Sequence, residues 1–393
     1  MRILWIPHAP LGRGRTRSDH LIERLARRHE ISVVSFHTYP TRQWWRYLVD
    51  LITHRSRQTA HCREVALWRF PRLMRLNSWI LNRVIDHELS RAPYDVLIAA
   101  PTPFLTGYPD FARLRTRIKL VCDYVDGGDW VINFAGTHGE RDFVRSMDAV
   151  LCVSHGLVRQ AKTLNPHAHY VPNGVELSRY QAFRSRHSTA ECKRKLGLDP
   201  DTFVASIIGM TCADRLYFVD AFLELARRGR KILLLGVGDT ALKEPILARA
   251  AESPAIRLVG RVPYEAVLDY FMASDLGLYV VDHFPYYNYA SPLKIFEYGA
   301  MGKPVLVAPP LDEVARMKLP FVRTCEAESD AVVAAIEAIM DGAAPADFAI
   351  PTRYDWDAIT ADVETICQGL VESGSAVETP AADDAPALVR VAP

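Results

Sequence analysis

The residues of this sequence that are best suited to chemistry lie in one segment, residues 289–307, which reads YASPLKIFEYGAMGKPVLV. Pro292 suits the first turn of a helix and Gly302 suits its end, just before an apolar run that predicts a strand. The N-terminus of such a helix attracts phosphate, because its free N–H groups and the helix dipole both favour an anion. Lys294 would add a positive charge, and Glu297, one turn further along, can accept two hydrogen bonds from a ribose diol. The spacing alone fits an ordinary amphipathic helix with a solvated lysine and glutamate equally well.

A second group of candidates consists of three carboxylates, Asp123, Asp126 and Asp129, which follow a predicted strand ending at Cys122. Three carboxylates so close together suggest a metal site. Their even spacing, however, lacks the ligand variety of a calcium-binding loop. We therefore do not expect a metal ion here.

The elements that must position these residues are short apolar runs that alternate with amphipathic stretches along most of the chain. This is the pattern of parallel strands covered by helices, so the fold class is α/β with two Rossmann-like halves. A helix opening near Ser18 follows the first strand. The expected strands are 3–6, 31–36, 96–99, 119–122 and 149–153 in the first half, and 203–208, 232–235, 256–258, 276–281 and 305–308 in the second.

The boundary between the halves is predicted by the segment 171–176, VPNGVE, which interrupts the pattern and favours a turn. We expect one domain over 1–172, a second over 173–355, and a C-terminal helix over 356–372 that can return to the first domain. The segment 373–393 is rich in Ala, Pro, Glu and Asp. Such a composition cannot repay the entropy of ordering, which predicts a disordered tail.

The overall composition limits the function classes. The chain has 393 residues with 47 Lys and Arg against 46 Asp and Glu, so no net basic field would collect nucleic acid nonspecifically. Its seven cysteines never come closer than 20 residues, which gives neither a CxxC pair nor a disulfide framework and indicates a reducing cytoplasm. No signal-peptide core and no apolar stretch of about 18 residues is present. We therefore expect a globular cytoplasmic protein.

Four segments, taken in order, resemble the B-fold glycosyltransferases, and most closely the retaining, bacterial polysaccharide-type enzymes of family 4, also called group 1. They are DAVLCVS at 148–154, VPNGVE at 171–176, LVGRV at 258–262 ahead of ASDL at 273–276, and PLKIFEY at 292–298 followed by GKPV at 302–305. The resemblance covers about residues 1–310. It implies two Rossmann-like domains facing across a cleft, the acceptor in the first domain and the donor in the second.

The resemblance also implies roles for the second domain, which would bind a nucleotide-diphosphate sugar as co-substrate and need no cofactor or metal. Glu297 would hold the nucleotide ribose, and the backbone around Leu293 and Lys294 would meet the diphosphate. Arg215 is the nearest counterpart of a basic residue that neutralises the diphosphate, although a solvent-facing arginine at a helix start explains it too. The implied donor-binding residues are Gly12, Gly209, Arg215, Arg261, Ser291, Pro292, Leu293, Lys294 and Glu297.

The sequence departs from the family at Tyr289. Many relatives carry a glutamate there, eight residues before the position of Glu297, and that glutamate contacts the transferred sugar. The identity of the donor sugar is therefore open. Asp282 and His283 follow the strand 276–281 and are, with Tyr289, the candidates for this contact, unless they belong to a packed surface loop.

On the acceptor side, the family usually places a catalytic residue near Asp126, which precedes two glycines. Asp126 would orient or deprotonate an acceptor hydroxyl, or it is an aspartate that simply forms a turn. The segment 42–55 mixes Trp, Tyr and Arg. It fits an interfacial helix on anionic lipid headgroups at the inner face of a membrane. It fits equally a helix packed on the first sheet or lining an acceptor cleft.

The sequence thus predicts an enzyme, a glycosyltransferase that moves a sugar to a hydroxyl of a glycan, a lipid-linked or a small-molecule acceptor. We expect a retaining, metal-independent reaction in which Asp126, Arg215 and Lys294 are the catalytic residues, and no nucleic-acid partner. The alternative is a catalytically silent member that binds a nucleotide sugar or scaffolds a partner transferase. A nicotinamide-dependent oxidoreductase is disfavoured, because the glycines of 236–238 lack the third glycine of a dinucleotide-binding fingerprint.

Overall fold

The computed structural model describes residues 1–8, 11, 15–36, 45, 49, 56–67, 74–101, 111–125, 138–210, 212–373 and 388–389. The chain divides into two compact units. Unit 1 comprises Met1–Pro172 and Trp356–Asp384, and unit 2 comprises Asn173–Asp355 and Ala385–Pro393. The chain therefore leaves unit 1 within the VPNGVE segment and re-enters it at Trp356.

Unit 1 is built, within its described residues, on an eight-stranded sheet in the order β3-β4-β2-β1-β5-β6-β7-β8. All neighbouring strands are parallel except β3 and β4. The strands are β1 (Arg2–Ile6), β2 (Glu30–Phe36), β3 (Ser56–Gln58), β4 (Arg63–Leu67), β5 (Val96–Ala99), β6 (Lys119–Tyr124), β7 (Ala149–Cys152) and β8 (Ala168–Tyr170). The helices that accompany them are α1 (Arg17–Leu25), α2 (Met74–Arg91), α3 (Phe111–Leu114), α4 (His138–Arg145) and α5 (His155–Lys162).

The first helix shows how local sequence builds this unit. Thr16 is the N-cap of α1, and the Asp19 carboxylate accepts a hydrogen bond from the Thr16 N–H at 2.9 Å while the Thr16 hydroxyl accepts one from the Asp19 N–H. This capping box satisfies two donors that would otherwise lack partners, so the helix begins close to the expected Ser18. Leu21 and Leu25, one turn apart, are fully buried against the sheet.

Unit 2 is built on a six-stranded parallel sheet in the order β11-β10-β9-β12-β13-β14. Its strands are β9 (Phe203–Ile208), β10 (Ile232–Val237), β11 (Ile256–Gly260), β12 (Leu276–Val280), β13 (Val305–Ala308) and β14 (Val322–Thr324). Its helices are α6 (Leu177–Arg184), α7 (Thr189–Lys195), α8 (Tyr217–Arg227), α9 (Lys243–Ala250), α10 (Val267–Ala273), α11 (Leu293–Ala300), α12 (Asp312–Met317) and α13 (Ser329–Ala338). A short antiparallel pair, β15 (Ile350–Pro351) and β16 (Leu388–Val389), completes this unit.

The strand order of unit 2 determines where a ligand can bind. Counted from β9, the order is 3-2-1-4-5-6, that of a doubly wound dinucleotide-binding sheet. The direction of winding reverses between β9 and β12. Ligands of such sheets bind beyond the carboxyl ends of the strands at this reversal, so the ends of β9 and β12 are the place to look for a site.

The last long helix, α14 (Trp356–Ser373), belongs to unit 1 although it follows unit 2 in the chain. Its indole Trp356 stacks on His20 of α1 at a centroid distance of 4.8 Å. Arg24 donates to the Asp357 carboxylate at 2.7 Å, and His29 Nε2 lies 2.8 Å from the Glu364 carboxylate. The fully or almost fully buried face of α14 carries Trp356, Ile359, Val363, Ile366, Cys367 and Leu370. Its packing on α1 therefore combines an apolar face with ion pairs at the rim.

The α/β class and the two Rossmann-like units are confirmed. Besides the short pair β15 and β16, the strands that sequence reasoning missed are β3, β4, β8 and β14. Three of these lie at sheet edges, and three are only three residues long. The fourth, β4, reads REVAL, in which two charged residues precede only three apolar ones. Edge and half-covered strands do not need the continuous apolar runs on which the prediction depended. Most of the predicted disordered tail, 374–387 and 390–393, lies outside the described residues.

Candidate functional site

Helix α11 has an N-terminus that is open to an anion. Pro292 is its N-cap, and no side chain caps the helix by a hydrogen bond. The N–H groups of the first turn of a helix have no partner within the helix itself. The N-terminal backbone of Leu293 and Lys294, the two positions expected to meet a diphosphate, therefore retains donors for a ligand.

A buried tyrosine fixes α11 over the strand ends. The Tyr298 hydroxyl donates to the Ser206 carbonyl at 2.8 Å and accepts from the Ile208 N–H at 3.2 Å, both in β9. Gly277 in β12 makes room for the ring, since a Cβ there would lie 2.5 Å from it. The helix is therefore held at the point where the strand order reverses.

The segment before α11 is fixed by the segment with which unit 2 begins. The Asn173 side-chain amide donates to the Ser291 carbonyl at 2.8 Å, and the Asn173 N–H donates to the Ser291 hydroxyl at 3.3 Å. Both residues are buried. The Asn-Gly turn of VPNGVE thus sets where the N-terminus of α11 begins. Ser291 is a residue expected to bind the donor, and here it supports the backbone.

Glu297 lies one turn into α11 with its carboxylate only partly satisfied. The Tyr180 hydroxyl donates to Oε1 at 2.6 Å. The Lys294 Nζ lies 2.7 Å from Oε2 as an ion pair. Apart from this ion pair, the buried Oε2 receives no hydrogen bond from the described residues. The ammonium compensates the charge of this oxygen, and the carboxylate keeps acceptor positions that suit it to accept a bond from a ligand hydroxyl.

Lys294 extends from α11 across the end of β9. A Cβ added to Gly209 would lie 3.3 Å from the Lys294 Cε. Gly209 has a φ of +97°, and Gly238, with a φ of +120°, packs its backbone against it. Both conformations favour glycine, and the missing side chains leave the two strand ends bare. A ligand phosphate could approach the backbone closely here, beside the Lys294 ammonium.

Arg215 and Asp282 form a pair after the strands β9 and β12. The Arg215 Nε donates to Asp282 Oδ1 at 2.9 Å, and Nη2 donates to the Ala327 carbonyl at 3.2 Å. The second oxygen of Asp282 accepts the Asp214 N–H at 2.6 Å. The arginine side chain is 55% exposed, so a guanidinium that is oriented by protein contacts still faces solvent. Asp282 is engaged by both oxygens.

The remaining expected donor-site residues do not join this group through the contacts of the described residues. Arg261 follows β11 and pairs with Asp239 at 3.1 Å, with both side chains largely exposed. His283 is exposed in the loop after β12. Tyr289 is partly buried and ends a short 3-10 turn, Pro285–Asn288. Their contacts with a sugar stay predictions.

Two expected site residues, Gly12 and Asp126, lie outside the described residues, as do Asp129 and all of 42–55 except Trp45 and Val49. Asp123 does not follow its strand but lies within β6. It is fully buried and accepts from the Arg17 Nε at 2.9 Å, while Arg17 Nη1 donates to the Pro172 carbonyl at 2.6 Å. This carboxylate is therefore committed to a buried ion pair.

The side-chain groups and the helices of the described residues bear on metal and membrane binding. Over the described ranges, no group of three or more His, Cys, Asp and Glu side chains is arranged to hold a metal ion. None of the helices that the structure describes is long and apolar enough to cross a membrane.

Comparison with known proteins gives a domain-family match over part of the chain and several solved structures with the same fold. Residues 14–174 match the family described as glycosyl transferase 4-like domain. The sucrose-phosphate synthase of Thermosynechococcus elongatus superposes with a TM-score of 0.69 at 14% identity, over 95% of this chain and 100% of that one. The α,α-trehalose 6-phosphate synthase of Burkholderia multivorans gives a TM-score of 0.68 at 13% identity, over 95% and 99%. The family match thus covers part of the chain, and the chain as a whole has the fold of the B-type glycosyltransferases.

A third solved structure is that of Anabaena HepE in complex with UDP-glucose, with a TM-score of 0.59 at 15% identity over 95% of this chain and 99% of HepE. No curated protein matches the sequence.

Sequence reasoning misses several residues on which this site depends. Tyr180 lies 117 positions from Glu297 and Asn173 lies 118 positions from Ser291. Only the Asn-Gly turn gives a signal, and that signal indicates a linker. Gly238 belongs to an incomplete dinucleotide-binding fingerprint, and in the structure it packs directly on Gly209.

Proposed function

We propose that this chain is a glycosyltransferase that moves a sugar from a nucleotide-diphosphate sugar to an acceptor hydroxyl, and that unit 2 holds the donor. The observation that carries the proposal is the Glu297 carboxylate, which is bonded by Tyr180 at Oε1 and paired with Lys294 at Oε2 and keeps acceptor positions on both oxygens. It lies one turn from the open N-terminus of α11. A ribose hydroxyl and a diphosphate, on one molecule, satisfy the carboxylate and the helix end respectively.

The chemistry follows from where charge develops. The bond between the anomeric carbon and the diphosphate oxygen breaks, so the diphosphate gains negative charge while the sugar becomes oxocarbenium-like. Lys294, Arg215 and the first N–H groups of α11 would stabilise the departing diphosphate. Because these groups supply positive charge without an ion, we propose a metal-independent reaction. Retention of the anomeric configuration is part of the same proposal and rests on the resemblance to the retaining enzymes.

The similar proteins support a nucleotide sugar as the donor. HepE has been solved in complex with UDP, with UDP and glucose, and with UDP-glucose. At 13–16% identity these structures share the fold with this chain. The sugar and the base therefore stay open.

The proposals for the acceptor-binding residues and for the cellular location rest mainly on the sequence. Asp126 would orient or deprotonate the acceptor hydroxyl, and the segment 42–55 would contact lipid if the acceptor is membrane-bound. All seven cysteines are free, and six of them are buried. Free thiols are typical of a reducing compartment, and we propose the cytoplasm.

The decisive experiment is a screen of the purified chain against nucleotide sugars by thermal shift and mass spectrometry. A donor that binds the folded state raises the melting temperature by mass action, before any acceptor is known. Transfer to an acceptor panel is then followed with and without EDTA, and the product anomer is assigned by NMR. If no nucleotide sugar raises the melting temperature or is consumed, the proposed donor site is wrong. Loss of transfer in EDTA would overturn metal independence, and an inverted anomer would overturn retention.

A further inference from the structure

Tyr180 is a residue of unit 2 to which no role has yet been given. It lies in α6, its side chain is 1% exposed, and its hydroxyl donates to Glu297 Oε1 at 2.6 Å. Hydrogen bonds from a hydroxyl to an ionised carboxylate are short and stronger than those between neutral groups. This contact is therefore the best-defined one that Glu297 makes.

The Tyr180 ring is held by its neighbours. It packs edge-on against Phe271 at a centroid distance of 5.8 Å, and Phe271 packs in the same way on Tyr298 at 4.8 Å. Tyr298 is the residue that fixes α11 over β9. The same aromatic cluster therefore places both the hydroxyl and the helix that carries Glu297, and the hydroxyl cannot turn away from the carboxylate without disturbing this packing.

The hydroxyl also stays a donor. Burial, followed by the nearby Glu297 carboxylate, raises the pKa of Tyr180 well above its usual value. The phenol is thus protonated at any physiological pH, and Glu297 Oε1 always receives its hydrogen bond.

The arrangement leaves a defined part of the carboxylate for a ligand. An ionised carboxylate has about four acceptor positions. Tyr180 takes one of them on Oε1, and the Lys294 Nζ, 2.7 Å away, faces another on Oε2. The two remaining positions, one on each oxygen, can therefore accept two adjacent hydroxyls.

We infer that Tyr180 is a positioning residue that orients Glu297 toward a ribose diol, so that the site selects ribonucleotides over deoxyribonucleotides. The inference rests on the proposed donor site. It goes beyond that proposal because it assigns Tyr180 a part in recognising the ribose of the nucleotide rather than its base. The competing explanation is that Tyr180 is an ordinary core tyrosine whose hydroxyl happens to be satisfied by a carboxylate.

The experiment compares Tyr180→Phe with the wild-type chain. Ligands are UDP, GDP and ADP, and the one that binds most tightly is matched with its 2′,3′-dideoxy analogue. Affinities are measured by isothermal titration calorimetry. Tyr354→Phe is the control, because Tyr354 is also buried in unit 2 and its hydroxyl has no hydrogen-bond partner among the described residues. Circular dichroism and thermal unfolding establish that each variant is folded.

We expect Tyr180→Phe to weaken the ribonucleotide about tenfold, since a hydrogen bond to a charged group is lost, and to leave the dideoxy analogue unchanged. Tyr354→Phe should change neither affinity. In a double-variant cycle, Tyr180→Phe should add little once Glu297→Gln is present, because both act on the same hydroxyls.

Four results would overturn the inference. Equal weakening of both ligands by Tyr180→Phe would show a general structural role, and no weakening of either would show that the hydroxyl does not act on the ligand. In both cases a loss of ribonucleotide affinity in Glu297→Gln would leave the proposed donor site intact. If Glu297→Gln binds the ribonucleotide as tightly as wild type, or none of the three diphosphates binds wild type, the proposed donor site fails and the inference fails with it.

Discussion

Lys303 carries a prediction about stability that can be worked out from its surroundings. It follows α11, is 7% exposed, and donates to the Thr189 hydroxyl at 2.7 Å. Burial lowers the pKa of Lys303 from 10.5 to about 8, with Lys193 and Arg184 acting in the same direction and Asp275 opposing them. A lysine with a lowered pKa makes the charged folded state costly.

The size and the sign follow from the two pKa values. Each pKa unit between folded and unfolded chain corresponds to about 1.4 kcal/mol, so the difference between 10.5 and about 8 amounts to about 3 kcal/mol. Below pH 8, Lys303 is charged in both states and the folded chain carries this whole cost. Between about pH 8 and 10.5, the unfolded chain binds more protons than the folded chain. The free energy of unfolding of unit 2 should therefore gain this contribution as the pH rises through that window.

The assay is urea unfolding of wild type and Lys303→Met from pH 7 to 10.5, following the transition of unit 2. At pH 7 the variant should be more stable by about 2 kcal/mol, because it loses the burial cost but also a hydrogen bond worth about 1 kcal/mol. This advantage should shrink by about 3 kcal/mol as the pH rises, since the other titrating groups are common to both chains. A difference between the two chains that stays constant over the window would refute the reasoning.

Three further predictions concern the site. Arg215→Gln should lower the transfer rate about a hundredfold in steady-state assays, because Arg215 would stabilise the departing diphosphate. The affinity for the bare nucleoside should stay unchanged. A transfer rate equal to wild type would remove Arg215 from the mechanism. Gly277→Ala should lower the free energy of unfolding in urea titrations by about 1–3 kcal/mol or more, because the new Cβ would lie 2.5 Å from the Tyr298 ring. Unchanged stability would contradict that packing. Asp126→Asn should lose transfer but keep donor affinity. The loss should be on the order of a hundredfold if Asp126 is a general base and smaller if it only orients the acceptor, and unchanged transfer would reject both roles.

The sequence was most informative where one element carries a whole pattern. The central strands β10, β12 and β13 of unit 2 are continuous, largely apolar runs that are buried on both faces. Lys294 and Glu297 are three positions apart on one helix, so their proximity could be predicted from helical periodicity alone. Long-range pairs could not be predicted in this way. Tyr180 gave no local signal that it would meet Glu297.

Asp123 shows the opposite difficulty. A charged residue at the end of an apolar run predicts the end of a strand, and here β6 continues through it to Tyr124. The strand can continue because Arg17, 106 positions away, supplies the compensating charge in the interior. The sequence around Asp123 gives no sign that Arg17 is its partner.

The return of α14 to unit 1 bears on how the protein is made. Unit 2 is in effect an insertion between the main part of unit 1 and the helix that completes it. During synthesis from the N-terminus, unit 1 is the first to leave the ribosome and the last to have all its parts. Until Trp356 and the residues after it emerge, α14 cannot cover the face of α1 around His20 and Arg24. By then unit 2 already has its six-stranded sheet and all the helices α6 to α13. A nascent chain of which the residues up to about 355 have emerged should therefore protect unit 2 from protease before unit 1, reversing the order in which the two units are encoded.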